Sequence, residues 1–398
     1  MMKSKVTILI LLLAFGNLYT QENKMSLIND IIKKVKSTYA PDKRTAVFEI
    51  TATDSGGVYV LSGETNLTEA KNELIDNLNK LNISFEDKIN LLPSKLLGEN
   101  TYGIINLSVA NIRTAPSHSA ELATQALLGT PVKILKKDDG FYLVQTPDYY
   151  ISWIDDGGLI LMNKKEINEW IEQPKIIFTS EFGFAYKEPN VNSEHVSDLV
   201  AGNILINLGE KDDFYYVEFP DHRTAYIEKE KCFPLDDWLS KAEPTEANII
   251  STAKRFLGIP YLWGGTSAKG MDCSGFTKTV YFLNGVVLQR DASQQVNTGT
   301  LVDTENGFEN LRPGDLLFFG EKEKGDKKEK VTHVAIYIGN YEYIHASGRV
   351  MINSFEKDSA NFSSYRLNHF IRAKRIINSL DKNGVITVKN NKFYQGDF

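Results

Sequence analysis

The spacing of apolar residues changes period several times along the chain, and each change marks a different kind of element. Ile28, Ile31, Ile32 and Val35 recur at helical spacing, as do Ala70, Leu74, Ile75 and Leu78, which predicts two amphipathic helices. Residues 46–51 and 58–61 carry the β-branched, alternating pattern of strands. Residues 25–98 are therefore expected to form a small α+β accessory domain. No catalytic pattern falls within it.

Between residues 100 and 235 the chain repeats itself at an offset of 73 residues. Pro116, Glu121, Gly129 and Asp139 meet Pro189, Glu194, Gly202 and Asp212. Phe141, Tyr142, Val144, Pro147, Asp148 and Ile154 meet Phe214, Tyr215, Val217, Pro220, Asp221 and Ile227. One ungapped register of this length implies two copies of one domain, over 100–163 and 174–235. Short β segments separated by Gly, Pro and Asp predict that each is a small barrel. Residues 236–246, with Pro244, read as a linker into a last domain over 244–380.

That last domain opens on a helical run with Ile249, Ile250, Ala253 and Phe256, followed by Gly258-Ile259-Pro260. Asp272-Cys273-Ser274-Gly275-Phe276 then leads into an apolar, proline-free stretch, so Cys273 is expected at a helix N-terminus. Residues 331–338 and 343–346 read as two strands around the Gly339-Asn340 turn. The Lys- and Glu-rich residues 321–330 read as a solvated loop insertion.

Length and charge narrow the function classes. At 398 residues the chain is too long for one core, and about three or four domains are expected. A net charge of −6 offers no broad field for phosphates, which excludes nucleic acid as a partner. Lys3 and Lys5 precede an apolar run from Val6 to Phe15 and a polar break at Gly16-Asn17. That run is short of the roughly 20 apolar residues a span requires. Residues 1–20 read as a signal peptide, with a retained anchor as the alternative, so the mature protein is expected to be exported, periplasmic or secreted.

Only Cys232 and Cys273 occur, too few for a disulfide scaffold. A plain disulfide between them is one reading. A helix N-terminus offers another, because its unpaired N–H groups and dipole favour a thiolate over a thiol. His333 and His345 lie twelve residues apart around a turn, an even spacing that puts them on one face of a regular hairpin. A nucleophile, a base and a group orienting the base are what acyl transfer needs. Zinc held by the cysteine and both histidines is a competing reading, but no fourth ligand stands out. His118, His195, His222 and His369 lack such partners.

Taken together, Tyr261-Leu262-Trp263-Gly264-Gly265, Asp272-Cys273-Ser274-Gly275-Phe276, Arg312-Pro313-Gly314-Asp315-Leu316, His333-Val334-Ala335-Ile336-Tyr337 and Ile344-His345-Ala346 resemble the NlpC family of cell-wall cysteine peptidases, in the family's order. The resemblance implies a papain-like catalytic domain needing no cofactor and no metal. It implies Cys273 as nucleophile, His333 as general base and later acid, His345 as orienter, and Tyr261 as partner of the Cys273 N–H on the oxyanion. Asn111-Ile112-Arg113, Pro116 and Trp153-Ile154 resemble bacterial Src-homology-3-like domains. The fold class is thus a multidomain α+β chain: accessory domain, two such barrels, and the peptidase domain.

Two barrels before this domain are similar to the arrangement in γ-D-glutamyl-diamino-acid endopeptidases of murein peptides, some of which require a free N-terminal L-alanine. By position, Glu121 and Tyr150 would meet the substrate ammonium, helped by Asp272. Trp263 would wall the cleft, and Ser274 with Arg290-Asp291 would face the D-glutamyl part, although Ala292 stands where many relatives carry serine. The expected partners are murein peptides or peptidoglycan fragments, met by a monomer. A wall-binding protein with a silent last domain, or an amidase or acyltransferase using the same residues, are the alternatives.

Overall fold

The apolar patterns up to Leu91 belong to one compact unit that ends at Gly98, and a second unit begins at Glu99. The computed structural model describes residues 24–398, so the expected signal peptide lies outside the described residues. Among those residues no helix is long and apolar enough to cross a membrane. In the first unit a helix over residues 24–39 buries Ile28, Ile32 and Val35, and the helix Thr68–Lys80 buries Ala70, Leu74 and Leu78. Both cover a three-stranded sheet. Its central strand Val58–Thr65 pairs antiparallel with Phe48–Ser55 and parallel with Phe85–Leu91. A parallel pair needs a crossover, which the helix Thr68–Lys80 supplies. The Phe85–Leu91 strand had no sequence signal because it is a charged sheet edge that buries only Ile89.

In the second unit the sequence repeat is a repeat of strands. Tyr102–Ile105, Val109–Arg113, Leu122–Leu127, Pro131–Asp138, Phe141–Gln145, Ile151–Asp155 and Leu159–Met162 form one seven-stranded sheet. Lys175–Phe178, Phe182–Tyr186, His195–Val200, Ile204–Lys211, Phe214–Glu218, Thr224–Glu228 and Cys232–Pro234 form the other, with the strands in the same order. Irregularities repeat too. The bulge at Ile134/Lys136 recurs at Asn207/Gly209, and the left-handed turn residue Tyr149 (φ 63°) recurs as His222 (φ 66°). Bulges and left-handed residues at matching places bend both sheets alike.

Residues 236–246, expected as a linker, differ from that reading. Leu235–Lys241 is a helix, and Trp238 is buried in a core with Ile177, Ile206 and Val287. Leu235, Trp238 and Leu239 are spaced as one apolar helical stripe, which outweighs the polar composition of the stretch.

The rest of the unit is a six-stranded antiparallel sheet ordered Thr300–Val302, Phe370–Arg375, Leu316–Glu321, Lys330–Gly339, Glu342–Ser347, Arg349–Ser354. The helix Cys273–Phe282 lies against it through Phe276, Val280 and Tyr281, which pack with Leu316, Phe318, Val334 and Ile336. Beyond residue 380 the chain is still ordered. Ile386–Thr387 pairs with Val286–Val287, and the buried Asn391 donates from Nδ2 to the Pro147 carbonyl at 2.9 Å. The tail thereby ties the Val286–Val287 strand to the first seven-stranded sheet.

Trp238→Ala should lower the chain's resistance to urea by roughly 3 kcal/mol, the usual cost of deleting a buried aromatic. An unchanged urea midpoint would show that the segment contributes no packing.

Candidate active site

Cys273 is the first residue of its helix, and the residue before it explains why the helix starts there. Asp272 caps the helix, accepting the Gly275 N–H at 2.7 Å. Gly275 is a glycine for lack of room, since a Cβ would meet the Gly265 carbonyl oxygen at 2.0 Å. The loop before the helix is pressed just as closely, for Gly264 has φ 81° and a Cβ there would meet the Leu122 carbonyl oxygen at 2.4 Å. The first seven-stranded sheet therefore abuts the backbone that presents the cysteine.

Asp272 also anchors a buried cation. Arg290, 1% exposed, donates from Nη2 to Asp272 Oδ2 at 2.6 Å and from Nη1 to Oδ1 at 3.1 Å. Nη1 also reaches Ser274 Oγ at 3.0 Å, and the Gly264 N–H donates to Asp272 Oδ2 at 3.0 Å. These donors engage both carboxylate oxygens of Asp272, which also lines the cleft. Its position makes it the clamp that joins the helix start, the Gly264 loop and Arg290.

The two histidines meet because of a β-bulge. The hairpin turn at Asn340 and Tyr341, both left-handed, starts the ladder at Gly339↔Glu342. Carried on regularly, that register would set His345 opposite Ile336, on the face away from His333. The bulge between Tyr337 and Gly339 shifts the pairing to Tyr337↔Tyr343 and Ile336↔Ile344, which returns both imidazoles to one face. His333 Nε2 and His345 Nδ1 are then 2.7 Å apart, the rings perpendicular.

A third residue fixes their protons. His345 Nε2 lies 2.8 Å from Asn353 Oδ1, and Asn353 Nδ2 donates to the Asn361 carbonyl at 2.9 Å. The amide is thus oriented with its oxygen toward the ring, so His345 carries its proton on Nε2. His345 Nδ1 must accept, and His333 Nε2 must donate to it. His333 Nδ1 is left with a free lone pair.

Burial first, then the nearby charges of His345 and Arg366, holds the His333 pKa well below the usual histidine value. Burial likewise takes His345 down to about 4. Both rings are neutral at pH 7. Burial, reinforced by Asp272, pushes the Cys273 thiol up to about 11, while N–H groups of Val334 and Ser274 and the charge of Arg290 oppose the rise. Val334 adjoins His333, and its N–H is available because the ladder to the next strand stops at Ile336↔Ile344. At rest Cys273 is therefore a thiol and His333 a neutral imidazole.

The thiol opens into a cleft of about 460 Å³ lined by Glu121, Tyr150, Tyr261, Trp263, Asp272, Ser274 and Asp291 as well as Cys273. At the far side, the exposed Trp263 donates from Nε1 to Glu121 Oε1 at 2.6 Å. Burial, then Cys273 and Asp272, raises the Tyr261 pKa, so its phenol stays a proton donor. Of the residues singled out from the sequence, Glu121, Tyr150, Tyr261, Trp263, Asp272, Cys273, Ser274 and Asp291 line the cleft, while His333 and His345 are buried outside its lining. Among the described residues no cluster of His, Cys, Asp and Glu has the arrangement of a metal site. Cys232 is buried with a free thiol in the core of the second sheet, and Cys273 is also free. No disulfide joins them.

Three site residues had not been picked out. Asn353 lies eight residues beyond His345 across the Gly348 turn, a spacing that could have marked it. Lys330, at the end of the stretch read as solvated, lines the cleft. Arg366 sits within electrostatic reach of Cys273, and nothing in its polar surroundings signals that.

Residues 258–372 match the NlpC/P60 family, and residues 112–159 match the bacterial dipeptidyl-peptidase Sh3 domain. The chain is 32% identical to a γ-D-glutamyl-L-lysine dipeptidyl-peptidase of Bacillus cereus over 58% of this chain and 68% of that protein. It is 28% identical to dipeptidyl-peptidase 6 of Lysinibacillus sphaericus, over 64% of this chain and 92% of that one. A crystal structure of an NlpC/P60 family protein from Bacillus cereus superposes with a TM-score of 0.57 at 26% identity, covering 69% of this chain and 99% of that one.

Replacing Asn353 by alanine should cut kcat at least tenfold with little change in KM, because the imidazoles lose their tautomer lock. The pH profile gives a second check. Neutral His333 is the active form and its pKa is lowered, so the acid limb of kcat/KM should lie clearly below about pH 6.5, the ordinary histidine value. An acid limb at or above that pH would contradict the neutral pair.

Proposed function

The chain belongs to the NlpC/P60 family, and from that premise we propose that it is a cysteine peptidase that hydrolyses the γ-D-glutamyl bond to a diamino acid in murein peptides. The observation that carries this reading is the cleft itself, lined by both Cys273 and Glu121, a carboxylate on the exposed turn before the strand Leu122–Leu127 of the first seven-stranded sheet. A chain with a free amino end can place its ammonium against Glu121, a charge-assisted contact that a blocked end cannot make. On this reading the acyl group is the dipeptide L-Ala-γ-D-Glu, with its amino end at Glu121.

The chemistry follows from the proton positions. His333 Nδ1 takes the thiol proton as Cys273 Sγ bonds to the γ-carbonyl carbon. The oxyanion is held by the Cys273 N–H and the Tyr261 hydroxyl, donors worth about 3 kcal/mol each in comparable sites. His333 then gives its proton to the departing amine as the C–N bond breaks. Water attacks the thioester, passing its proton through His333 to the sulfur, and the dipeptide leaves. His345 and Asn353 hold the ring throughout.

The domain organisation belongs to the same proposal. The shared strand order and register support reading the two sheets, over 100–163 and 174–235, as Src-homology-3-like barrels, followed by a papain-like domain over 244–380. The apolar run from Val6 to Phe15 behind Lys3 and Lys5 supports export. Asp291 and Ser274 both line the cleft, which supports reading them as the residues that meet the D-glutamyl part.

Cleavage of L-Ala-γ-D-Glu-L-Lys should be abolished by Cys273→Ala with folding intact. The N-acetylated twin should be a poor substrate for the wild-type chain, and Glu121→Gln should remove the discrimination. Equal cleavage of free and acetylated peptides would refute the role of Glu121. Products other than the dipeptide and lysine would turn the reading toward another acyl transfer.

A further inference from the structure

Of the charged side chains that line the cleft, one cation is left without a partner. The lining includes the carboxylates of Glu121, Asp272 and Asp291 and the cations of Arg290 and Lys330. Arg290 is 1% exposed, and its terminal nitrogens are taken by Asp272 and Ser274. Lys330 is exposed, and among the described residues it has no ion pair and no side-chain hydrogen bond. Glu329, the residue before it, is paired with Arg372, and Glu321, opposite it in the ladder, forms no ion pair with it.

The backbone holds Lys330 at the cleft wall. It is the first residue of the strand Lys330–Gly339, which also carries His333, and Val331 and Thr332 line the cleft beside it. The short helix Ala292–Gln295 packs against this strand and contributes Ala292 and Ser293 to the same lining. Ala292 offers no side-chain donor to anything bound there. A lysine has a long, flexible stem that ends in a compact charge, so its ammonium can follow an anion along the neighbouring wall.

The acyl group of the proposed reaction carries charges that match. L-Ala-γ-D-Glu has an ammonium at its amino end, which Glu121 answers, and it is joined to the diamino acid through its γ-carbonyl. Its α-carboxylate is therefore free, and only a short methylene spacer separates it from the carbonyl that Cys273 attacks. A carboxylate entering a cleft lined by Glu121, Asp272 and Asp291 is repelled unless a cation meets it. Lys330 is the unpaired cation at hand.

Building on the reaction proposed above, we infer that Lys330 is a specificity residue that binds the free α-carboxylate of the D-glutamyl residue. The enzyme therefore discriminates against murein peptides in which that carboxyl is amidated. Such peptides become good substrates only after a hydrolysis that turns the amide into the acid and releases ammonia.

The test uses the full chain, its Lys330→Gln and Lys330→Arg variants, and three peptides: L-Ala-γ-D-Glu-L-Lys, the same peptide with the D-glutamyl α-carboxyl as a carboxamide, and the same peptide with its C-terminal carboxyl as a carboxamide. In kcat/KM the wild type should favour the first over the second roughly fivefold or more, the worth of a charge-assisted contact at an exposed side chain. That preference should shrink as salt rises. K330Q should lose it by slowing on the acid alone, and K330R should keep part of it. The C-terminal carboxamide, whose D-glutamyl α-carboxyl is intact, should slow in K330Q as much as the parent peptide does. Equal use of the first two peptides by the wild type overturns the inference whether or not the variants fold. So does a preference that K330Q retains, or an effect of K330Q confined to peptides with a free C-terminal carboxyl. Failure to cleave any of the three would sink the proposed reaction and this inference with it, whereas cleavage of all three with no α-carboxyl preference sinks this inference alone.

Discussion

A 2.7 Å hydrogen bond between two buried imidazoles, His333 and His345, organises this active site, and it exists only because the hairpin that carries them is irregular. The one-residue bulge after Tyr337 converts a pairing that would face the rings apart into one that stacks them edge to face. From there the arrangement is a chain of obligations. The Asn361 carbonyl orients Asn353, Asn353 sets the proton of His345, and His345 sets that of His333. Burial keeps the rings neutral, so His333 Nδ1 is a lone pair and not a second proton.

The other half of the site is held by a buried ion pair. Asp272 and Arg290 exclude water from each other, and breaking such a pair from one side commonly costs about 3 to 5 kcal/mol. Their value lies in what they join. The same carboxylate caps the cysteine's helix and grips the Gly264 loop that the first seven-stranded sheet presses upon, so nucleophile and recognition wall share one rigid support. That coupling makes sense of a repeat-sheet region attached to a peptidase: Glu121 reaches Trp263 across the cleft, and the acyl end of a substrate is measured between them.

Much of this was legible beforehand because it rests on local chemistry. A helix start after Asp272, strands on either side of Gly339, and a repeat at an offset of 73 residues are all signals within short windows. What escaped reading depended on tertiary context. The strand Phe85–Leu91 is charged because its edge is exposed. Leu235–Lys241 looked like a linker until Trp238 found a core to enter. The pairing of Asp272 with Arg290, eighteen residues on, is made only by the fold. The even spacing of the histidines pointed to the right neighbours, although a regular hairpin at the actual turn would have separated them.

The account stands on the tautomers of those histidines. Nitrogen NMR on histidine-labelled protein at neutral pH reads them directly. Both His333 and His345 should show a protonated Nε2 and a bare Nδ1. A proton on Nδ1 of His333, or a doubly protonated ring at either position, would contradict the account.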